Sequence, residues 1–214
     1  MINYSFVKYF VFLTTISLLT SCKLFLSLNT NKFYDENGKE ISEFKFRRKQ
    51  KSKESIFVFI KDGDVYHKKH IPTREEAGII NNRELLQSKI EQKLKRKLNP
   101  ELPLLIYYSY GIDPYNSHLF QDSLYKGSTK DPRKSSIYSY YKIEPILMHR
   151  QGDINYGPYH IVDPDGIFEK LFFKEHYPGG SFTVIAKNGE FYTYHGECTF
   201  QQVIDAIETL KKVE

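Results

Sequence analysis

Cysteine is nearly absent. The 214 residues hold two, Cys22 and Cys198, and no Cys-x-x-Cys pair. A dithiol redox turn and a cysteine-based zinc site are therefore excluded. Tryptophan is missing, so aromatic area comes from 17 Tyr and 16 Phe, whose abundance alone carries no functional signal. Acidic residues are missing before Asp35. Charge of one sign does not dominate either. The net charge is +5, and without Lys8 it is 30 basic against 26 acidic residues. That excess is mild for a nucleic-acid binder, which gathers basic charge on one face or motif, so no nucleic-acid partner is expected. Internal repeats and low-complexity segments are absent. With 40% hydrophobic and 27% charged residues, the chain can bury a core.

At the N-terminus, Lys8 precedes an apolar run from Tyr9 to Leu19. The run is shorter than the roughly 20 residues of a membrane-spanning helix and fits a signal-peptide core. It ends Leu19-Thr20-Ser21-Cys22, which resembles the bacterial lipobox. Small residues admit the peptidase, and the thiol accepts the lipid. The resemblance implies a lipoprotein cut before Cys22 and held on a membrane by lipid on that residue. An uncleaved anchor, or a signal peptide with an incidental cysteine, is the competing reading. Lys23 favours the outer over the inner membrane if the organism follows the enteric sorting rule. With Cys22 lipidated, Cys198 has no partner for an intramolecular disulfide.

Residues 1–21 are thus expected as leader, 22–54 as a polar tether, and 55–214 as the folded domain. The tether contains a hairpin turn, Glu36-Asn37-Gly38-Lys39, between Phe33-Tyr34 and Ile41. Its basic run, Arg47 to Lys53, reads as a solvated face, with attraction to anionic lipid as the other reading. Within the domain, Ile56–Ile60 and Val65–His67 form a hairpin about Asp62-Gly63. Asn81 with Glu84 starts a helix carrying Leu86, Ile90, Leu94 and Leu98, stopped by Asn99-Pro100. Leu102–Tyr108 is a buried strand, followed by a helix from about Ser117 to Tyr125. Ile146–His149 is a strand and 151–163 a loop. Asp163 caps a helix with Ile167, Phe168, Leu171 and Phe172 on one face. Ser181–Ala186, the Asn188-Gly189 turn and Glu190–Tyr194 form a hairpin. Thr199 and Gln202 then cap a final helix bearing Phe200, Val203, Ala206, Ile207 and Leu210.

This order, and above all the closing strand, Lys-Asn-Gly turn, strand and helix, resembles the thioredoxin fold. It implies an α/β three-layer sandwich, a central mixed sheet flanked by helices. In that family a Cys-x-Pro-Cys turn opens the helix after the central strand, where the helix N-terminus lowers a thiol pKa. Here the turn reads Ile112-Asp113-Pro114-Tyr115, and Gly180 stands where the family has a cis-proline. The resemblance thus implies a scaffold without its redox chemistry. Tyr110, Ile112, Asp113, Tyr115 and Gly180 become a candidate binding surface, packing being the competing role of the tyrosines.

Cys198 beside the last helix cap is a candidate reactive thiol, with His195 and Glu197 nearby, against a plain packing role. His149, His160 and Asp163, like His67 and His70, match no metal-ligand spacing, and Asp163-x-Asp165-Gly166 lacks the remaining acids of a calcium loop. No metal or cofactor is expected. The leading expectation is a membrane-anchored envelope lipoprotein acting by binding a protein partner. The rivals are a thiol-dependent oxidoreductase or peroxidase using Cys198, and a structural component of an envelope complex.

Overall fold

The computed structural model describes residues 31–51, 56–111, 131–152 and 156–211. The leader, Cys22, the turn at Ile112, Asp113 and Tyr115, and the expected helix from Ser117 lie outside them.

The chain is α/β with two sheets. The smaller has the order β2-β1-β4-β3, built from β1 (Phe33–Tyr34), β2 (Glu40–Ile41), β3 (Ile56–Asp62) and β4 (Val65–Ile71). The expected single central sheet is corrected accordingly, and residues 33–50 of the expected tether carry β1, β2 and a helix. The Asn37-Gly38 turn, with Gly38 at φ +78, closes a hairpin whose first strand runs parallel to β4. Helix α1 (Glu43–Gln50) follows, capped by the Ser42 hydroxyl accepting from the Lys45 N–H. Phe46 of α1 is buried among Phe33, Phe57 and His70, stacking on the imidazole at 4.0 Å. These aromatics give the polar stretch an apolar side to bury, which its average composition conceals.

The larger sheet has the order β5-β10-β9-β6-β7-β8, with β5 Glu75–Ile79, β6 Leu104–Ser109, β7 Pro145–His149, β8 His160–Val162, β9 Gly180–Ile185 and β10 Glu190–Tyr194. β6, β7 and β8 are mutually parallel, while β9, β10 and β5 continue antiparallel from β6. Strand alternation divides the core. Ile106, Tyr108, Ile146, Met148 and Ile185 face α2 (Arg83–Leu94) and α4 (Ile167–Phe172), together with Val58 and Ile71 of the smaller sheet. Leu105, Phe182 and Val184 face α3 (Ser136–Tyr141) and α5 (Phe200–Lys211). The outcome is a mixed sheet with helices on both faces.

Local details refine several expectations. α2 begins one residue later than read: Asn82 is its cap residue, without a side-chain cap bond. It ends at Leu94 because Lys95 turns left-handed (φ 55), so Leu98 packs from beyond the helix. The expected loop 151–163 contains β8, an edge strand too short to show alternation. β5 was also unread: Glu75, Glu76 and Ala77 are exposed on a charged edge. Asp163 does cap α4, accepting from the N–H groups of Phe168 and Glu169 at 3.0 and 2.8 Å. Leu171 faces outward, not with Phe168 and Phe172, and Phe200, in the first turn of α5, is exposed rather than buried with Val203, Ala206, Ile207 and Leu210. Thr199 and Gln202 form the reciprocal capping box of α5. Gly189, at φ +89, is required because a Cβ there would sit 2.2 Å from the Ile80 carbonyl oxygen. Among the described residues, no helix is long and apolar enough to cross a membrane.

Candidate functional site

The carboxyl ends of β6 and β7 meet the start of β9 and the end of β10, and there one face of the sheet turns polar. In α/β sheets ligands bind outside the carboxyl ends of the strands. Alternation that buries Leu104 and Ile106 carries Tyr108 and then Tyr110 to the same side. Tyr108 stacks on Phe173 at 4.4 Å and donates its hydroxyl to Glu169 at 3.1 Å. Arg150, just beyond β7, grips the same carboxylate in a fork, Nε at 2.8 Å and Nη2 at 2.7 Å. The guanidinium also lies 5.8 Å from the centre of the Tyr110 ring. Tyr110 stacks on His176 at 4.8 Å, and its hydroxyl is 3.5 Å from Ser181 Oγ, which accepts from the Gly196 N–H.

Two imidazole groups flank this centre. His195 stacks on Tyr177 at 4.4 Å with an 11° interplanar angle. Its Nε2 is 3.6 Å from the Glu76 carboxylate, and its buried Nδ1 has no partner among the described residues. Burial lowers the His195 pKa against the pull of Glu76. On the other flank His149 stacks on Tyr156, whose hydroxyl accepts from Ser109. His149 Nδ1 donates to the Arg150 carbonyl, since a carbonyl can only accept. His160 lies alongside, and burial, then the charge of His149, lowers its pKa to about 4. Asp163 is spent on the α4 cap, and burial raises its pKa. Among the described residues no three His, Cys, Asp or Glu gather as a metal site.

Burial raises the Tyr108 and Tyr110 pKa values well above the ordinary one, so both remain neutral hydroxyls. The band therefore offers neutral hydroxyls, a paired guanidinium and neutral imidazole, which is chemistry for holding a group in place.

Of the candidate binding residues, Tyr110 is 4% exposed and takes part from inside the band, not as a surface contact. Gly180 is exposed and pairs with Ser109 across the sheet. Cys198 lies on the opposite side of the sheet, packed against the cluster of Leu105, Phe182 and Val184, whereas His195 stacks on Tyr177 of the other cluster. Burial pushes its thiol up, the reverse of activation. Sequence reasoning missed Arg150, Glu169, His176 and Ser181. The only available signal was that β6 ends in tyrosines, whose hydroxyls need buried partners. Comparison with known proteins finds no family model, curated protein or solved structure that matches the chain.

Proposed function

We propose that this chain is a lipid-anchored envelope protein whose thioredoxin-like domain works by binding a partner, without thiol–disulfide exchange. The fold reading is supported by the strand order β7-β6-β9-β10, with β7 parallel to β6, β9 antiparallel to β6, β10 antiparallel to β9, and α5 closing the run. That order resembles the core of thioredoxin-like domains, with β5 and β8 at the edges. The anchor rests on Leu19-Thr20-Ser21-Cys22 alone.

One observation carries the binding reading. Where a redox pair would follow the central strand, β6 runs into Tyr110 and then Ile112-Asp113-Pro114-Tyr115, while Cys198 sits across the sheet with a raised pKa. A photo-crosslinking phenylalanine analogue replacing Tyr115 is expected to capture a discrete envelope protein. The same analogue at Tyr140, exposed on α3, is expected to capture none. Identical products from both positions, or none from either, would sink the binding reading. Cys22→Ala should release the protein into the soluble fraction, and persistence on the membrane would sink the anchor. Rapid alkylation of Cys198 below pH 7 would revive a thiol enzyme.

A further inference from the structure

Positive charge is not spread evenly over the molecule. Residues 31–71 hold 11 Lys and Arg against 7 Asp and Glu, a net of +4, whereas residues 72–214 hold 18 against 19, a net of −1. The excess concentrates on α1. Its Phe46 is buried, and the helical period carries Phe44, Arg48 and Lys51 to the opposite side, with Lys45 flanking. Phe44 is 76% exposed, the second most exposed of the large hydrophobic side chains described. Arg47 pairs with Glu43 and Lys49 with Glu36, but Lys45, Arg48 and Lys51 have no acidic partner among the described residues. α1 also has the smaller sheet behind it on its buried side. Its outer face thus presents one aromatic ring among unneutralised cations. Such a face suits the headgroup region of an anionic bilayer, where the ring enters the acyl boundary and the cations meet phosphates.

The tether length agrees. Ten residues lie between Cys22 and Phe33, on the order of 40 Å at full extension over the eleven steps, so a lipid on Cys22 keeps the smaller sheet close to the bilayer. We infer that the outer face of α1, Phe44 with Lys45, Arg48 and Lys51, docks on anionic lipid and orients the anchored domain, leaving the β6 end to its partner. The inference rests on the lipoprotein reading for its geometry, but the surface itself can be tested without the anchor.

The chain from Lys23 onward keeps every described element. In flotation assays it is expected to bind vesicles of phosphatidylcholine with phosphatidylglycerol, not phosphatidylcholine alone, and to dissociate as salt rises. Each cation at the surface is worth roughly a fivefold change in partitioning. Replacing Lys45, Arg48 and Lys51 together by Gln should therefore weaken binding about 100-fold. Phe44→Ala should weaken it roughly tenfold, and Arg48→Lys should leave it intact. Unchanged circular dichroism and melting would exclude unfolding as the cause. Lys93, Lys187 and Lys211, changed together to Gln, remove the same charge elsewhere. Equal loss from that variant, equal binding to both vesicles, or no binding overturns the docking surface. Palmitate labelling of the intact chain tests the anchor separately. A labelled chain whose α1 does not bind vesicles defeats docking alone, and an unlabelled chain that binds them defeats the anchor alone.

Discussion

The two faces of the larger sheet share a backbone but not a chemistry. The face under α3 and α5 is filled by Leu105, Phe182, Val184, Ala206 and Ile207, nearly all apolar. The face under α2, α4 and the smaller sheet contains Ile106, Met148 and Phe168, but also the Tyr108–Glu169–Arg150 cluster, Tyr110 on His176, and the Thr193–Thr183 hydroxyl pair. An apolar face needs only volume and alternation. A polar face must also satisfy each buried donor and acceptor, so removing one partner harms those left behind. The difference makes one face depend on volume alone and the other on its satisfied polar groups as well.

The strongest way to test this contrast is to delete volume on the apolar face. Phe182→Ala, at a ring with no exposed surface, is expected to cost ~3–5 kcal/mol in chemical denaturation, from lost transfer energy plus a cavity. On the polar face, Glu169→Ala removes less volume but strands Arg150 and the Tyr108 hydroxyl. Arg150 is partly solvated while Tyr108 is buried, and the expected loss is ~1–3 kcal/mol. Tyr108→Phe should cost about 1 kcal/mol, and the double variant should be less than additive because the two share one interaction. Strict additivity would break the cluster into independent contacts.

Acid sensitivity should concentrate at the β8 edge of the larger sheet, where His160 stands, and in α2. His160 falls from 6.5 to about 4 in the folded chain. Between those values the unfolded state binds the proton and the native state does not, so stability drops as pH falls from 6.5 to 4. Glu91 falls from 4.5 to about 2, held down by hydrogen bonds from Gln87, Lys97 and the Leu98 N–H. Its contribution is complete above 4.5 and is lost as pH falls towards 2. His160→Gln should flatten the upper part of a stability-versus-pH curve, and Glu91→Gln the lower part. An unchanged curve in both variants would put the acid response elsewhere. The smallest effect expected is a gain. Lys95 holds a left-handed C-cap at φ 55, and Lys95→Gly should raise stability by up to ~1 kcal/mol in thermal melts. A loss there would mean that the Lys95 side chain packs on the helix end.

Legibility followed the same division. β6, β9, β10 and α5 were readable because strong apolar alternation or helical period coincides with marked turns and caps, as at Asn188-Gly189 and Thr199. β5 and β8 were not, since a charged edge strand and a three-residue strand bury too little to leave a pattern. The stretch 33–50 looked like tether because its few apolar residues find their partners on β3 and β4, far away in sequence. The candidate site was half legible. Tyr110 could be named from its place after a buried strand, but Arg150 and Glu169 stand 19 residues apart with nothing local to join them.

By itself, the sequence determined the absence of a redox cysteine pair, the alternating core strands, the helix caps at Asp163 and Thr199 and the concentration of positive charge near the N-terminus, because each is a local property of residue type and spacing. Only the tertiary structure decided that a second sheet forms, that Tyr110 turns inward onto His176, that Arg150 meets Glu169, and that Cys198 falls on the face opposite His195. Those outcomes depend on which face of one element packs on another, and long-range pairing sets that where sequence neighbours cannot.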